Sequence, residues 1–304
     1  MTELVLPTEA DAGTIAAVIN ARSRALRGVS EETAERVARW FALPDIDTQA
    51  DMRLAVGADG AAEGYADVSG PEDGTRKAWV DLRSTPGHPS AVELLFAWAE
   101  ARALDRVGSG GVIQYFVDEG DKPMQDRLGE AGYRVVRHSY EMGRPLDGDL
   151  ERPVLPKGVV TRSFDACDAP LVHAAHVEAF SDHWGYTPAS YETWRALNLA
   201  AGEGTSLWRI AWEGDVVVAL CICHPRRGED ESVGWVDVLG VRQPWRRQGV
   251  GEALLRESFR LFAAAGKRSA GLSVDAENTT GAVALYERVG MHVVWRSDTW
   301  ERTA

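Results

Sequence analysis

The chain has 304 residues, 45% hydrophobic and 26% charged, which is typical of a globular protein with two domains. Its formal net charge of -13 argues against a nucleic acid partner, because phosphate backbones bind clustered Lys and Arg. Its apolar runs fall short of the ~20 residues that a membrane-spanning helix needs. The 3 cysteines, unevenly spaced, predict neither a disulfide framework nor a metal site.

The beginning of the chain is acidic and lacks a basic leader and a long apolar run, so we predict a cytoplasmic protein. Further on, residues 91–139 read as helix, strand, helix and strand, and this order returns at the other end of the chain. Residues 132–139 (GYRVVRHS) align with residues 290–297 (GMHVVWRS) and share the glycine, both valines and the serine. The shared order predicts a duplication, with one copy in each domain.

Three prolines and two glycines lie in residues 144–158, a composition typical of a linker. We therefore predict a first domain at residues 1–145, a linker at 146–158 and a second domain at 159–304. Strands and helices alternate, but hairpins are mixed in. This pattern predicts an α/β class of α+β type, with a mixed sheet in each domain.

The second copy begins with a short strand at residue 159 and continues with helices at 169–180 and 189–200. A hairpin that turns at residues 213–215 and a strand at 233–241 follow. Cys221 and Cys223 lie two residues apart in an apolar strand, which indicates two core side chains on one face rather than reactive thiols.

The most informative stretch is VLGVRQPWRRQGVGEALL, which leads from a strand ending near residue 241 to a helix starting near residue 249. The backbone N–H groups of residues 247–252 should lie unpaired at the positive end of the helix dipole. Gly249 and Gly251 carry no Cβ, so a phosphate could approach the amides, and Arg246 and Arg247 would add positive charge. The pattern predicts a diphosphate site.

Two other nucleotide motifs fit this turn less well. The dinucleotide fingerprint needs a third glycine where the chain has Leu254, although Asp275 ends the next strand where a ribose-binding acid would lie. The Walker loop needs a Gly-Lys-Ser/Thr ending, which is absent from this stretch.

The stretch resembles the acyl-coenzyme A binding motif of the GCN5-related N-acetyltransferases, with Arg246, Gly249 and Gly251 at the motif positions. The resemblance covers residues 159–304 directly and reaches the first copy only through the duplication. The duplicated arrangement is similar to that of two-copy members of the family. It implies that the pantetheine arm lies between two splayed strands and that the diphosphate rests on the turn. The residues that it assigns to the coenzyme are Leu239, Gly240, Val241, Arg246, Arg247, Gln248, Gly249, Val250, Gly251, Glu252 and Asn278.

The resemblance also implies that Tyr286 is the general acid that protonates the departing thiolate. Each assignment has a simpler alternative: the arginines as solvated side chains, Tyr286 as a core aromatic, and Asn278 as a helix N-cap. For the base, Asp237 is the first candidate, because it interrupts an apolar strand and has the parity of Leu239. His183, in the loop where the family builds its acceptor pocket, is the second candidate.

The first copy departs from the motif. Pro86, Pro89 and Ala91 take the places of Arg246, Gly249 and Gly251, and Leu128 takes the place of Tyr286. Prolines lack the amide donors that a phosphate needs, so we predict no coenzyme in this degenerate domain.

The sequence therefore predicts a cytoplasmic N-acetyltransferase, monomer or homodimer, that uses acetyl-CoA. Its acceptor would be a primary amine of a small molecule or peptide that attacks the thioester directly. The alternative is a noncatalytic acyl-CoA binding or regulatory protein of the same fold. No metal, nucleic acid or membrane partner is expected.

Overall fold

The computed structural model describes residues 1–43, 46–70, 75–148, 150–199, 204–278 and 280–304. The chain forms two compact units. Unit 1 contains Met1–His138 and Ser297–Ala304, and unit 2 contains Ser139–Arg296.

Unit 1 has a mixed sheet in the order β1-β2-β3-β4-β5-β12, in which β4 and β5 are parallel and the other neighbours are antiparallel. Helices pack on the sheet and enclose two apolar clusters. The strands are β1 Glu3–Val5, β2 Met52–Val56, β3 Ala62–Ser69, β4 Lys77–Ser84, β5 Val112–Asp118 and the second half of β12 His292–Thr303. The helices are α1 Ala12–Arg27, α2 Ala34–Trp40, α3 Thr48–Asp51, α4 Pro89–Val107 and α5 Lys122–Glu130.

The strands of unit 2 follow the order β6-β11-β10-β9-β8-β7, in which β10 and β11 are parallel and the other neighbours are antiparallel. One face packs on α8 and α9, and the other packs on α6 and α7. The strands are β6 Arg134–Pro145, β7 Val159–Ser163, β8 Arg209–Glu213, β9 Val216–His224, β10 Val233–Val241 and β11 Ser269–Asp275. The helices are α6 Ala169–Phe180, α7 Tyr191–Asn198, α8 Val250–Ala264 and α9 Ala282–Arg288. The predicted mixed α/β class is confirmed.

The two copies exchange their last strands. Residues 139–145 of β6 pair with β11 in unit 2, and residues 297–303 of β12 pair with β5 in unit 1. The units therefore divide the chain differently from the predicted boundaries at residues 145 and 159. The described part of the predicted linker has no helix or strand, and its Leu146 is buried in unit 2, with its N–H bonded to the Arg268 carbonyl.

Local sequence explains much of unit 2. The β8–β9 hairpin turns at Gly214, whose φ of 58° lies in the left-handed region that glycine tolerates. Helix α8 places apolar residues at steps of three and four against the sheet, and Gly266, with φ 76°, follows its end. Cys221 and Cys223 are fully buried on one face of β9, as predicted.

Candidate active site

The central strands β10 and β11 separate along their length. They pair in parallel from Val233 to Val236, opposite Ser269 to Leu272, and the structure describes no pair beyond that point. On its other side, β10 stays paired with β9 as far as Val241. The edge of β10 that faces β11 therefore leaves backbone groups of residues 238–241 without a strand partner. These include the residues predicted to pair with the coenzyme arm.

A β-bulge at Asp237 marks the point where the strands separate. Val236 and Val238 lie opposite adjacent residues of β9, so Asp237 is the extra residue. Val236 packs on the α8 side of the sheet, and Val238 packs on the α6 side. The alternation that the sequence argument used to group Asp237 with Leu239 does not hold across this position.

The turn after β10 leaves a row of backbone N–H groups open. Arg247 has a φ of 60°, and Gly249, the N-cap of α8, has a φ of 85° and provides no side-chain cap. The first backbone bond of the helix runs from the Ala253 N–H to the Gly249 carbonyl. Among the described contacts, the N–H groups of residues 247–252 donate no backbone hydrogen bond. Such groups at a helix start favour an anion.

The two glycines of the motif serve different purposes. Gly249 has no atom within 4 Å of an added Cβ, so its requirement is the left-handed backbone. Gly251 is buried, and a Cβ there would lie 3.3 Å from Val241 Cγ2 and 3.5 Å from Leu285 Cδ2. Gly251 therefore lets α8 pack closely against β10 and α9, whereas the sequence argument gave it the role of admitting a phosphate.

The side chain of Arg246 is fully engaged by the protein. Its Nε donates to the Val241 carbonyl at 3.0 Å, and its Nη2 donates to the Ala179 carbonyl at 2.8 Å. The guanidinium also forms a bidentate pair with Asp182, at 2.5 and 2.9 Å. This pairing lowers the pKa of Asp182 to about 2. Arg246 thus connects the end of α6 to the turn, and the exposed Arg247 is the arginine whose charge is open to a ligand.

Polar side chains around the turn are also paired. Gln248 Nε2 donates to the Pro244 carbonyl at 2.8 Å. Glu252, in the first turn of α8, accepts from Arg256 at 2.9 and 3.0 Å. Val250 is buried in the core. Residues 248–252 would therefore meet a ligand mainly through their backbone.

Tyr286 lies on α9 within the core cluster of unit 2, with 7% of its surface exposed. Burial, and secondarily the neighbouring Cys221, raises the pKa of its phenol well above the ordinary value of 10. Cys221 lies opposite Leu239, in the part of β10 that has separated from β11. Tyr286 therefore packs in the core and also remains a protonated phenol beside the opening.

The two base candidates lie in different surroundings. Asp237 is 43% exposed, and its Oδ2 lies 3.8 Å from His224 Nε2. His183 stacks on the Phe180 ring with centroids 4.5 Å apart, and its Nδ1 lies 3.7 Å from Asp182. The structure places His183 beside Asp182, the partner of Arg246 in the turn after β10, and among the described contacts none joins His183 to Asp237.

Asn278 lies in the loop before α9, but the N-cap of that helix is Gly281, so the N-cap alternative is wrong. Asn278 Oδ1 accepts from the Thr280 N–H at 2.7 Å and from the Thr280 hydroxyl. Its oxygen therefore holds the loop, and its amide nitrogen is the group left for a ligand.

His176 on α6 was not among the site residues predicted from the sequence. Its Nδ1 accepts a hydrogen bond from Trp194 Nε1 at 3.1 Å. Burial, then His173, lowers the pKa of His176 to about 4, while Asp237 acts in the opposite direction. The sequence signal was the pair of histidines three residues apart, His173 and His176, which lie close together on a helix.

Comparison with known proteins agrees with the fold. Residues 170–291 match the model of the acetyltransferase (GNAT) family. The chain belongs to this family as a tandem member, and it is an acetyltransferase that uses a coenzyme A-linked cosubstrate. The predicted enzyme class is confirmed.

Similar proteins include a mycothiol acetyltransferase of Geodermatophilus obscurus, which is 31% identical and is aligned over 80% of this chain and 81% of its own length. A GCN5-related N-acetyltransferase of Sphaerobacter thermophilus, a solved structure, is 30% identical, with a TM-score of 0.76 over 99% of this chain and 95% of its own. A tandem GNAT protein from the clavulanic acid biosynthesis pathway shares the fold, with a TM-score of 0.75 at 15% identity over 99% and 98% of the two chains.

Within the described residues, no helix is both long and apolar enough to cross a membrane. The same residues contain no group of three or more His, Cys, Asp or Glu placed to hold a metal ion.

Proposed function

We propose that unit 2 transfers an acetyl group from acetyl-CoA to the primary amine of a small polar molecule, in the cytoplasm and as a monomer or homodimer. The observation that carries this proposal is the open edge of β10, which leads directly to the open N–H groups of residues 247–252. Together they offer hydrogen bonds to an amide-containing arm and to the diphosphate that follows it.

The coenzyme arm is proposed to pair with β10 at residues 239–241, and its diphosphate to rest on the amides of residues 247–252. The dipole of α8 and the exposed Arg247 favour the negative charge there. Asn278 Nδ2 would donate to the arm. This placement directs the thioester toward Asp237, because the bulge lies at the end of the opening away from the turn.

Tyr286 is proposed as the general acid. The amine nitrogen bonds to the carbonyl carbon, the carbon–sulfur bond breaks, and the sulfur takes the phenolic proton. Burial keeps Tyr286 protonated at neutral pH but also makes it a weaker acid. The same apolar surroundings disfavour a free thiolate, so the proton should move as the bond breaks. The phenolate then regains a proton from water.

Asp237 is proposed to receive the acceptor. Its partly exposed carboxylate attracts an ammonium group and accepts the proton that the amine must lose, directly or through water. His183 remains a second candidate for this proton, but its stacking on Phe180 favours Asp237.

Several similar proteins are named mycothiol acetyltransferase. For this chain we propose as acceptor a small polar molecule with a primary amine. Unit 1 is proposed to bind no coenzyme, so one chain takes one acetyl-CoA.

The test combines two measurements on the full chain. Free thiol release from acetyl-CoA is followed with amines, amino acids, aminoglycosides, peptides and the unacetylated form of mycothiol. Titration calorimetry gives the number of coenzyme molecules per chain. We expect release with at least one amine and a stoichiometry of one. Tight coenzyme binding without release from any amine would refute acetyl transfer and favour a noncatalytic acyl-CoA binding protein, and a stoichiometry of two would refute the single site.

A further inference from the structure

His176 lies on α6 and Asp237 lies on β10, two elements that pack against each other beside the opening. The C-terminal end of α6 packs on β10 at Gly240, where an added Cβ would lie 3.1 Å from Ala179 Cβ and 3.0 Å from Phe180 Cε2. His176 lies about one turn earlier on α6, and Asp237 lies three residues earlier on β10. Burial lowers the pKa of His176, and Asp237 opposes this shift.

The hydrogen bond from Trp194 fixes the form of the His176 ring. An indole N–H can only donate, so His176 Nδ1 must accept, and in the neutral ring the proton is then on Nε2. In the described part of the chain, Nε2 has no hydrogen-bond partner. His176 therefore presents a donor, and it cannot serve as the base while Trp194 holds it.

The acid and this donor lie on opposite faces of the sheet. Tyr286 packs with α8 and α9, whereas Trp194, which holds His176, packs in the cluster of α6 and α7. An amine that approaches from the α6 face would meet Asp237 and His176, and the sulfur would be protonated from the other face.

We propose that His176 is a positioning residue that donates from Nε2 to an oxygen of the acceptor, next to the amine held by Asp237. The inference rests on the proposed function. It assigns the acceptor to a class: amines with a carbonyl or hydroxyl oxygen on the carbon next to the amine-bearing carbon. A neutral imidazole suits this position, because a charged ring would repel the ammonium group.

The first experiment measures the ring and does not depend on turnover. Nitrogen-15 NMR of the full chain with saturating coenzyme A should show His176 protonated at Nε2. Alaninamide should shift that resonance, and 3-methyl-2-butylamine, which has the same shape but no oxygen, should not. Trp194→Phe should give a mixture of ring forms. A ring protonated at Nδ1, or equal shifts with both amines, would overturn the assignment.

The second experiment compares the same two amines as acceptors in acetyl transfer. For each amine, kcat/KM of a variant is divided by that of the wild type, so the different basicity of the two amines cancels. His176→Phe should lower kcat/KM for alaninamide about tenfold, through KM, and leave the hydrocarbon amine nearly unchanged. His176→Gln, which keeps an N–H donor, should recover most of the loss. Equal losses with both amines would contradict the proposal. Absence of transfer with every amine would instead refute the proposed function, and the NMR shifts would still test His176.

Discussion

The two units share a scaffold but differ in what occupies the opening between their central strands. In unit 1, β4 and β5 also pair only from Lys77 to Val80, opposite Val112 to Tyr115. There an ion pair connects the separated strands, because Arg83 Nη1 on β4 lies 3.8 Å from Asp118 Oδ2 on β5. Arg83 Nε also lies 2.6 Å from Asp81 Oδ1. The splayed strands are a property of the fold, and the side chains between them decide whether a ligand can enter.

The start of the next helix is also less suited to a phosphate in unit 1 than in unit 2. Helix α4 begins at Pro89, which has no N–H, and the Ala91 N–H already donates to the His88 carbonyl. A carboxylate also lies at this end, since Glu63 Oε1 is 3.3 Å from His88 Nδ1. Unit 2 has open amides and Arg247 at the equivalent place. A phosphate would meet a negative charge in unit 1 and a positive charge in unit 2.

The largest expected effect concerns Tyr286, which the first copy replaces with Leu128. Tyr286→Phe keeps the ring and removes the proton, so kcat should fall by about 10²–10⁴ with the coenzyme Kd nearly unchanged. Steady-state kinetics and calorimetry measure the two quantities. Leu128→Met, at the matching buried position of unit 1, is the control and should leave kcat unchanged. Full activity in the Phe variant would reduce Tyr286 to a packing residue.

Unit 2 should also lose stability in mildly acidic solution because of His176. Its folded pKa of about 4 lies below the unfolded value of about 6.5, so the unfolded chain binds the proton first as the pH falls. Burial and His173 oppose protonation, and Asp237 favours it. Between pH 6.5 and 4 the free energy of unfolding of unit 2 should fall by up to ~3 kcal/mol more in the wild type than in the His176→Gln variant.

Denaturant unfolding across this pH range measures the difference, and hydrogen exchange assigns it to unit 2. Parallel pH profiles for the two proteins would show that His176 is not buried in its neutral form.

A smaller effect is expected when a carboxylate is placed at the start of α8 in unit 2, as Glu63 is placed at the start of α4 in unit 1. Arg247→Glu places a carboxylate beside the open amides and should weaken coenzyme binding about tenfold, or ~1.4 kcal/mol. Lys157→Glu, an exposed position with the same change in charge, is the control. If both variants bind equally well in calorimetry, the diphosphate does not lie on this turn.

The smallest effect concerns Arg246, whose guanidinium is bound within the protein by Asp182 and two backbone carbonyls. A double-mutant cycle of Arg246→Ala and Asp182→Ala should show a coupling of about 1 kcal/mol in the stability of unit 2, reduced by partial exposure. Strictly additive effects would mean that the bidentate pair contributes nothing to the fold.

Periodicity and turn residues predicted most helices and strands, the mixed sheet and the turn at residues 246–252, because these features depend on neighbours in the sequence. The bulge at Asp237 was not predictable in this way. An extra residue in a strand leaves the local pattern of apolar and polar residues intact and is visible only against the partner strand.

The contacts of Arg246 within the protein were not predicted, for a related reason. Asp182 is 64 positions away in sequence, and two adjacent arginines before glycines look alike until their partners are known. The strand exchange between the copies was also hidden. Residues 134–145 and 292–303 resemble each other, so either strand would satisfy the pattern of either unit.

The strand exchange also bears on how the protein is made. The sheet of unit 1 requires residues 297–303 of β12. Ser297 lies 159 positions after His138, the last residue of the first segment of unit 1. At ordinary rates of translation this is a delay of roughly ten to thirty seconds. During that time β5 lacks β12, the strand that pairs with it in the completed fold. Nascent unit 1 should therefore depend on chaperones, and ribosome-bound chains stalled before residue 297 should be more sensitive to protease there than completed chains.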